Sequence, residues 1–203
     1  MDVARGSFVT LDGLSASGKT TVAPLLAALL NGIHLTDGTL PTFPRTRAEV
    51  DATGNLPARY HWWMMANHLK SETARQIIER GRTVVVESYF PRTVATHSAM
   101  GHDCAPEYPS GVLVPDVAVL LEVDERARRE RLRRRADQGT LSYWHQREEP
   151  NVAESCRVYR AFGLVPVDST GRTPEQVVDA IADIVRSRVP NPRQERSTSH
   201  DRN

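Results

Sequence analysis

Gly13, Gly18, Lys19 and Thr20 stand in the chain as G-x-x-x-x-G-K-T, and this spacing constrains the fold more than any other stretch. A polyphosphate must be wrapped by backbone N–H groups, so bulky side chains cannot crowd such a loop. Glycines permit the sharp turns and the close approach. Leu14, Ser15, Ala16 and Ser17 fill the loop, and Thr21 carries the chain on into a helix. The helix directs its positive dipole end at the phosphates. In this pattern Lys19 reaches the β/γ-phosphates and the Thr20 hydroxyl ligates Mg²⁺. The flanks agree with the loop. Ser7–Leu11 predicts a buried strand and Thr20–Leu30 a helix, with Leu25, Leu26, Leu29 and Leu30 on one face. Pro24 is expected to remove one hydrogen bond from that helix and to kink it.

Further along, short β-branched runs alternate with helical periodicity. Strands are expected at Ile33–Thr36, Thr83–Val86, Asp116–Val123 and Leu164–Val167. Helices are expected at Pro57–Arg80, Asp124–Ala136, Val152–Phe162 and Pro174–Val189, with a helical region from Ser88 to Gly101 interrupted by Pro91. Pro41–Pro57 and Asp137–Pro150 read as loops, the first a plain connection or a flap over an acceptor site. The alternation predicts an α/β fold, a parallel sheet with helices on both faces. At 203 residues one domain over 1–189 is expected, with a small Arg-rich lid near 136–150 and a disordered tail over 190–203.

Composition closes off other classes. A net charge of +1 gives no global pull on nucleic acid or membrane. Cys104 and Cys156 are too few for a disulfide scaffold. No apolar run reaches the roughly 18 residues of a membrane span. A cytoplasmic protein is expected.

Several charged residues carry both a structural and a chemical reading. Glu87 ends the third strand, where a carboxylate serves as a helix cap or binds Mg²⁺. Asp12 ends the first strand and either orients the loop or meets metal or acceptor. Asp37 makes an Asp-Gly turn or lies beside an acceptor hydroxyl. In the run from Glu125 to Arg135, a helical wheel puts Arg128, Arg131 and Arg135 on one side, toward a nucleotide, with Arg126 and Arg133 opposite. Tyr60, Trp62 and Trp63 fit a core, or one of them stacks on a base. Trp144 and His145 receive no assignment, and the histidines show no metal-ligand spacing.

The chain resembles the thymidylate kinase group of P-loop nucleoside-monophosphate kinases. FVTLDGLSASGKTT is similar to the family opening F-x-x-x-E-G-x-x-G-S-G-K-[ST]-T. ARYHWWMMANHLKSETARQIIERGRTVVVES resembles its central helix and the strand leading to D-R-[YHS]. PDVAVLLEVDERARRERLRRR resembles the entry to its lid, and LVPVDSTGRTPEQVVDAI its last strand, adenine-side loop and helix. The likeness runs in order from about residue 6 to 188.

It implies a Rossmann-like P-loop core, a mobile lid, phosphoryl transfer from ATP, Mg²⁺ and a tendency to homodimers. Lys19 and Thr20 then serve the donor phosphates and metal. Arg131 and Arg135 match the lid-entry arginines. Ser169 and Gly171 lie where the family holds adenine. The departures gather on the acceptor side. D-R-[YHS] is Glu87-Ser88-Tyr89, so its Arg is missing and Arg92, a turn on, is the substitute offered. No Asp-Arg pair stands near Ala66-Asn67-His68. E-P-G-G-T is replaced by Asp37-Gly38-Thr39.

Asp12, Asp37, Arg45, Trp63 and Arg92 are the expected acceptor residues, with Lys19, Asp37, Arg131 and Arg135 acting on the chemistry. The acceptor indicated is a pyrimidine nucleoside monophosphate. Leu35-Thr36-Asp37 and Glu87-Ser88 also resemble deoxynucleoside kinases, which leaves a free nucleoside or another alcohol open. Two rivals belong to other classes. A GTPase switch needs N-K-x-D, which is absent, and the D-x-x-G at Asp168–Gly171 follows the last strand, the wrong place. A nucleotide-binding regulator without catalysis is the other.

Overall fold

The structure is a computed structural model that describes residues 5–37, 43–139 and 143–189. Five parallel strands, β1 (Phe8–Asp12), β2 (Ile33–Leu35), β3 (Val84–Glu87), β4 (Val117–Glu122) and β5 (Val165–Asp168), form one sheet in the order β2-β3-β1-β4-β5. Parallel strands need crossovers, and the helices that supply them cover both faces, as the alternation predicts.

Beneath one face lie α1 (Lys19–Leu29) and α8 (Pro174–Arg188), packed on Val9, Leu11, Val85, Val119 and Val167. Against the other lie α3 (Leu56–Glu79), α4 (Phe90–Ala99) and α7 (Val152–Ala161), over Phe8, Val84, Val86 and Leu120. Strand side chains alternate between the faces, so Val9 and Leu11 enter one core while Phe8 enters the other. Local signals fix the helix starts. Asn55 accepts from the Ala58 N–H at α3, and Thr173 with Gln176 forms a capping box at α8.

Some expectations fail for identifiable reasons. α1 runs unbroken through Pro24, and its buried stripe is Val22, Ala23, Leu26 and Ala27, leaving Leu25 and Leu29 exposed. Pro91 starts α4 rather than interrupting a helix, because the first turn has no N–H to lose. The expected loop at Pro41–Pro57 contains α2 (Phe43–Ala52), held by Phe43 stacked on Trp62 at 4.3 Å between ring centroids. The expected loop at Asp137–Pro150 contains α6 (Tyr143–Glu148), followed by a 3-10 turn, Glu149–Asn151. Both segments have weak apolar periodicity and take their helical state from tertiary contacts. α5 (Glu125–Asp137) forms as expected, with Asp124 as its cap. Gly38 and Thr39, and the expected tail over 190–203, lie outside the described residues.

Candidate active site

Ligands of open α/β sheets gather at the carboxyl ends of the strands where the strand order reverses. Here that point is β1, between β3 and β4. The loop after β1 opens at Gly13, whose φ of 143° and the Leu121 carbonyl 2.5 Å from any added Cβ admit only glycine. It closes at Gly18, φ 107°, the N-cap of α1. Lys19 folds back over the loop and donates to the carbonyls of Gly13 and Leu14, each at 2.9 Å. Burial, then the nearby Arg92, lowers its pKa to about 8.

Thr20 and Glu87 come together although 67 residues separate them, the hydroxyl donating to Oε1 at 2.6 Å. A hydroxyl and a carboxylate side by side fit Mg²⁺, which takes few protein oxygens and keeps waters and phosphate oxygens as its other ligands. Among the described residues there is no group of three or more His, Cys, Asp or Glu placed for a metal, so no all-protein cage competes with that donor pair.

Next to the loop opens a cavity of about 530 Å³. Ser15, Ala16, Gly18, Lys19 and Thr20 line one end, with Glu87 and Arg135. Arg47, Arg59, Trp63, His97 and Trp144, which contact one another, line the other, and Asp37 and Arg92 complete the lining.

The expected residues divide accordingly. Lys19, Thr20, Asp37, Trp63, Glu87, Arg92 and Arg135 all line this cavity. Arg131 donates to the Ala16 carbonyl at 3.0 Å, against the loop itself. Arg128 does not face a nucleotide. It is 1% exposed and locked between Glu125 and Glu149, as an arginine on the inner side of a helix needs paired charge to be buried. Arg133 and Arg134 reach outward to Glu130, a solvated face. Arg45 is likewise exposed and paired with Glu49, four residues on. Arg47 is the arginine of α2 that lines the cavity, and its guanidinium lies 5.2 Å from the Trp63 ring centroid.

Asp12 is fully buried, and its Oδ1 accepts the N–H groups of Tyr89 and Arg92, each at 3.0 Å. It ties the end of β1 to the start of α4 instead of lining the cavity, and burial raises its pKa. Ser169 is buried beneath the loop, 3.1 Å from the Ser17 carbonyl and 2.8 Å from that of Glu122, while Gly171 is exposed. Asp37 meets Lys70 at 2.5 Å, and Lys70 donates to the Ser88 carbonyl. Ser88 takes φ 64°, a conformation that costs a non-glycine residue energy and is found at functional sites.

Residues the sequence did not single out build the far wall. Arg59 is 6% exposed, pairs with Asp51 at 2.9 Å and lies 4.5 Å from the Trp144 ring centroid. Burial lowers its pKa to about 10, opposed by Asp51. His97 sits 3.0 Å from the Arg59 guanidinium through Nε2 and 2.6 Å from the Thr93 carbonyl through Nδ1. Arginine only donates, so Nε2 accepts and Nδ1 carries the proton. Burial pushes the His97 pKa down to about 3 and keeps the ring neutral. Burial, then Arg92, likewise lowers His145 to about 4. No single-residue signal marks this wall. Arg59 and Trp63, four apart on α3, were the available hint of one shared face.

A model of the AAA domain family matches residues 8–153, from the first residue of β1 through the loop and α6. The chain belongs to the AAA domain family. Among curated relatives, a protein from Methanococcus vannielii named "Probable thymidylate kinase" is 24% identical over 91% of this chain and 98% of its own length. A thymidylate kinase from Arabidopsis thaliana is 32% identical over 61% of this chain, which spans about half (51%) of that relative. A solved thymidylate kinase from Candida albicans superimposes with a TM-score of 0.69, covering 90% of this chain and 92% of its own at 14% identity. The P-loop kinase fold expected from the sequence is therefore present. No helix among the described residues is long and apolar enough to cross a membrane.

Proposed function

We propose that this chain transfers the γ-phosphoryl group of ATP to a nucleoside monophosphate, as a kinase of the thymidylate kinase type, with a pyrimidine nucleotide as acceptor. The observation that carries this reading is the cavity itself. It runs from the phosphate loop to a wall of Arg47, Arg59 and Arg92 set among Trp63 and Trp144. Cations suit the acceptor's phosphate and indole faces suit its base. An acceptor phosphate oxygen attacks the γ-phosphorus, the bond to the bridging β,γ-oxygen breaks, and ADP leaves with that electron pair. Lys19, Arg131 and Arg135 stand where charge spreads during transfer, so catalysis is mainly positioning plus charge stabilisation. Thr20 and Glu87 would hold Mg²⁺, which neutralises phosphate charge when bound. One domain over 1–189, a lid near 136–150, a cytoplasmic setting and a homodimer accompany the proposal.

The test is an ATP-consumption screen against thymidine, uridine, cytidine and adenosine monophosphates, the free nucleosides and simple alcohols. Turnover of pyrimidine monophosphates alone is the expected result. ATP binding without turnover of any acceptor would leave the regulator reading instead, and strong GTP selectivity a switch.

One observation favours a second reading, in which a hydroxyl accepts. Asp37 lines the same cavity as Lys19 and Thr20 and could take a hydroxyl proton. A monophosphate oxygen needs no such base. On the first reading, Asp37→Asn lowers the single-turnover rate by less than about tenfold. A fall of about 10²-fold or more, with ATP affinity kept, would favour the hydroxyl acceptor.

A further inference from the structure

Arg92 sits where the two ends of the cavity meet. One Nη donates to the Ser15 hydroxyl of the phosphate loop at 3.0 Å. The other lies 3.4 Å from the Tyr159 hydroxyl, which itself donates to the Gly13 carbonyl at 3.0 Å. Both nitrogens also donate to Glu148, at 2.6 and 2.7 Å. This is the bidentate fork that fixes a guanidinium in plane as well as in place.

Glu148 comes from the end of α6, 56 residues along the chain, and is 3% exposed. Its own orientation is set by the Ser155 hydroxyl of α7 at 3.1 Å, with Thr96 of α4 at 3.5 Å. Burial alone would raise the Glu148 carboxyl, yet Arg92 holds it below the usual range, so the pair is ionic.

A buried ion pair is weak grounds for stability, because desolvating both charges offsets their attraction. Apolar residues of similar volume would hold α4 to α6 as well. The pair is better explained by what it does to Arg92. A long side chain with many rotamers is frozen at the boundary between loop and acceptor chamber, which removes an ordering cost from the reacting complex.

We propose that Glu148 is a positioning residue for phosphoryl transfer, acting through Arg92, which it holds between the phosphate loop and the acceptor's phosphate. The inference rests on the proposed kinase function for its kinetic readout. It predicts a specific dependence: Glu148 matters only while Arg92 is present.

The experiment compares Glu148→Gln, Glu148→Asp, Arg92→Met and the double variant Arg92→Met/Glu148→Gln. Gln keeps the shape and loses the charged fork, so kcat is expected to fall about 10- to 100-fold, with the KM for ATP within about threefold. Asp keeps the charge one methylene shorter and is expected to recover at least half of that loss on a logarithmic scale. Arg92→Met should cost at least as much as Glu148→Gln, and the double variant no more than Arg92→Met alone. A wild-type kcat for Glu148→Gln overturns the proposal. So do additive losses in the double variant, or a thermal midpoint that falls in step with kcat.

A readout without turnover separates this proposal from the proposed function. In the wild-type protein the fork should slow rotation about the Arg92 Nε–Cζ bond, splitting its Nη–H resonances in an arginine-selective NMR spectrum. Glu148→Gln should collapse that splitting. If the wild-type chain phosphorylates no acceptor in the screen, the functional reading fails. The positioning of Arg92 by Glu148 then stands or falls on whether the splitting survives the substitution.

Discussion

The two ends of the cavity are built by different means. The end proposed to take the donor is a backbone structure. Its loop occupies the link between β1 and α1, its glycines are required by φ and by the Leu121 carbonyl, and Lys19 lies directly after it. The end proposed to take the acceptor is a side-chain structure. Arg47 comes from α2, Arg59 and Trp63 from α3, Arg92 and His97 from α4, and Trp144 from α6. Its arginines are held by carboxylates far along the chain, Glu148 for Arg92, or on the preceding helix, Asp51 for Arg59. A backbone cradle specifies a polyphosphate and little else, while a wall of assembled side chains can be altered residue by residue to change what is accepted. The resemblance read from the sequence matches the thymidylate kinase pattern at the first and departs from it at the second.

The largest break in the comparison should come from the cradle. Lys19→Ala removes the cation that folds back over the loop and can meet the transferring charge. Turnover is expected to fall by about 10³-fold or more, with the thermal midpoint nearly unchanged. Retained activity would detach the chemistry from this loop. Glu87→Gln comes next. It keeps the hydrogen bond with Thr20 and removes the charge, so turnover should drop about 10²-fold while the Mg²⁺ concentration needed for half-maximal rate rises. An unchanged Mg²⁺ requirement would take Glu87 out of metal binding.

What could be read from the sequence follows the same division. The loop, the alternation of strands with helices and α5 depend on local spacing, and Gly13 to Thr20 could be placed without knowing the fold. Glu87 could be anticipated because a strand's end is a position that topology makes special. α2 and α6 could not, since Phe43 and Trp144 find their partners, Trp62 and Arg59, only once α3 is in place. The helical wheel grouped Arg128 with Arg131 and Arg135, yet Arg135 lines the cavity and Arg131 meets the Ala16 carbonyl while Arg128 is buried between two glutamates. A wheel cannot show that Glu149, from the 3-10 turn after α6, turns inward to meet it. His97 gave no signal because its role depends on Arg59, 38 residues away.

His97 offers a way to measure the acceptor wall without substrate. Its folded pKa of about 3 lies well below the 6.5 of an unhindered histidine. Below pH 6.5 the unfolded chain takes up a proton that the native ring refuses. Stability is therefore full above pH 6.5 and is lost as pH falls toward 3. At pH 5 the loss from this one group should be about 2 kcal/mol. His97→Gln can still accept from Arg59 and cannot titrate. Denaturant unfolding at pH 7 and pH 5 should show the variant losing less than the wild-type protein. Equal losses would mean that the ring is not held neutral.

The smallest predicted effect discriminates most finely between the two ends. Arg45 and Arg47 sit two residues apart on one helix, and their exposure differs, with 88% of the Arg45 side chain accessible against 46% for Arg47. Arg45 pairs with Glu49, an exposed pair that contributes little. Arg47 leans over Trp63 at the mouth of the acceptor chamber. Arg47→Ala is expected to raise the acceptor KM about tenfold with the KM for ATP unchanged, the loss of one charge-assisted contact. Arg45→Ala should leave both within about twofold, as surface substitutions do. If Arg47→Ala raised the two KM values together, the arginine would be serving the whole cavity. The separation into a donor cradle and an acceptor wall would then fail at Arg47.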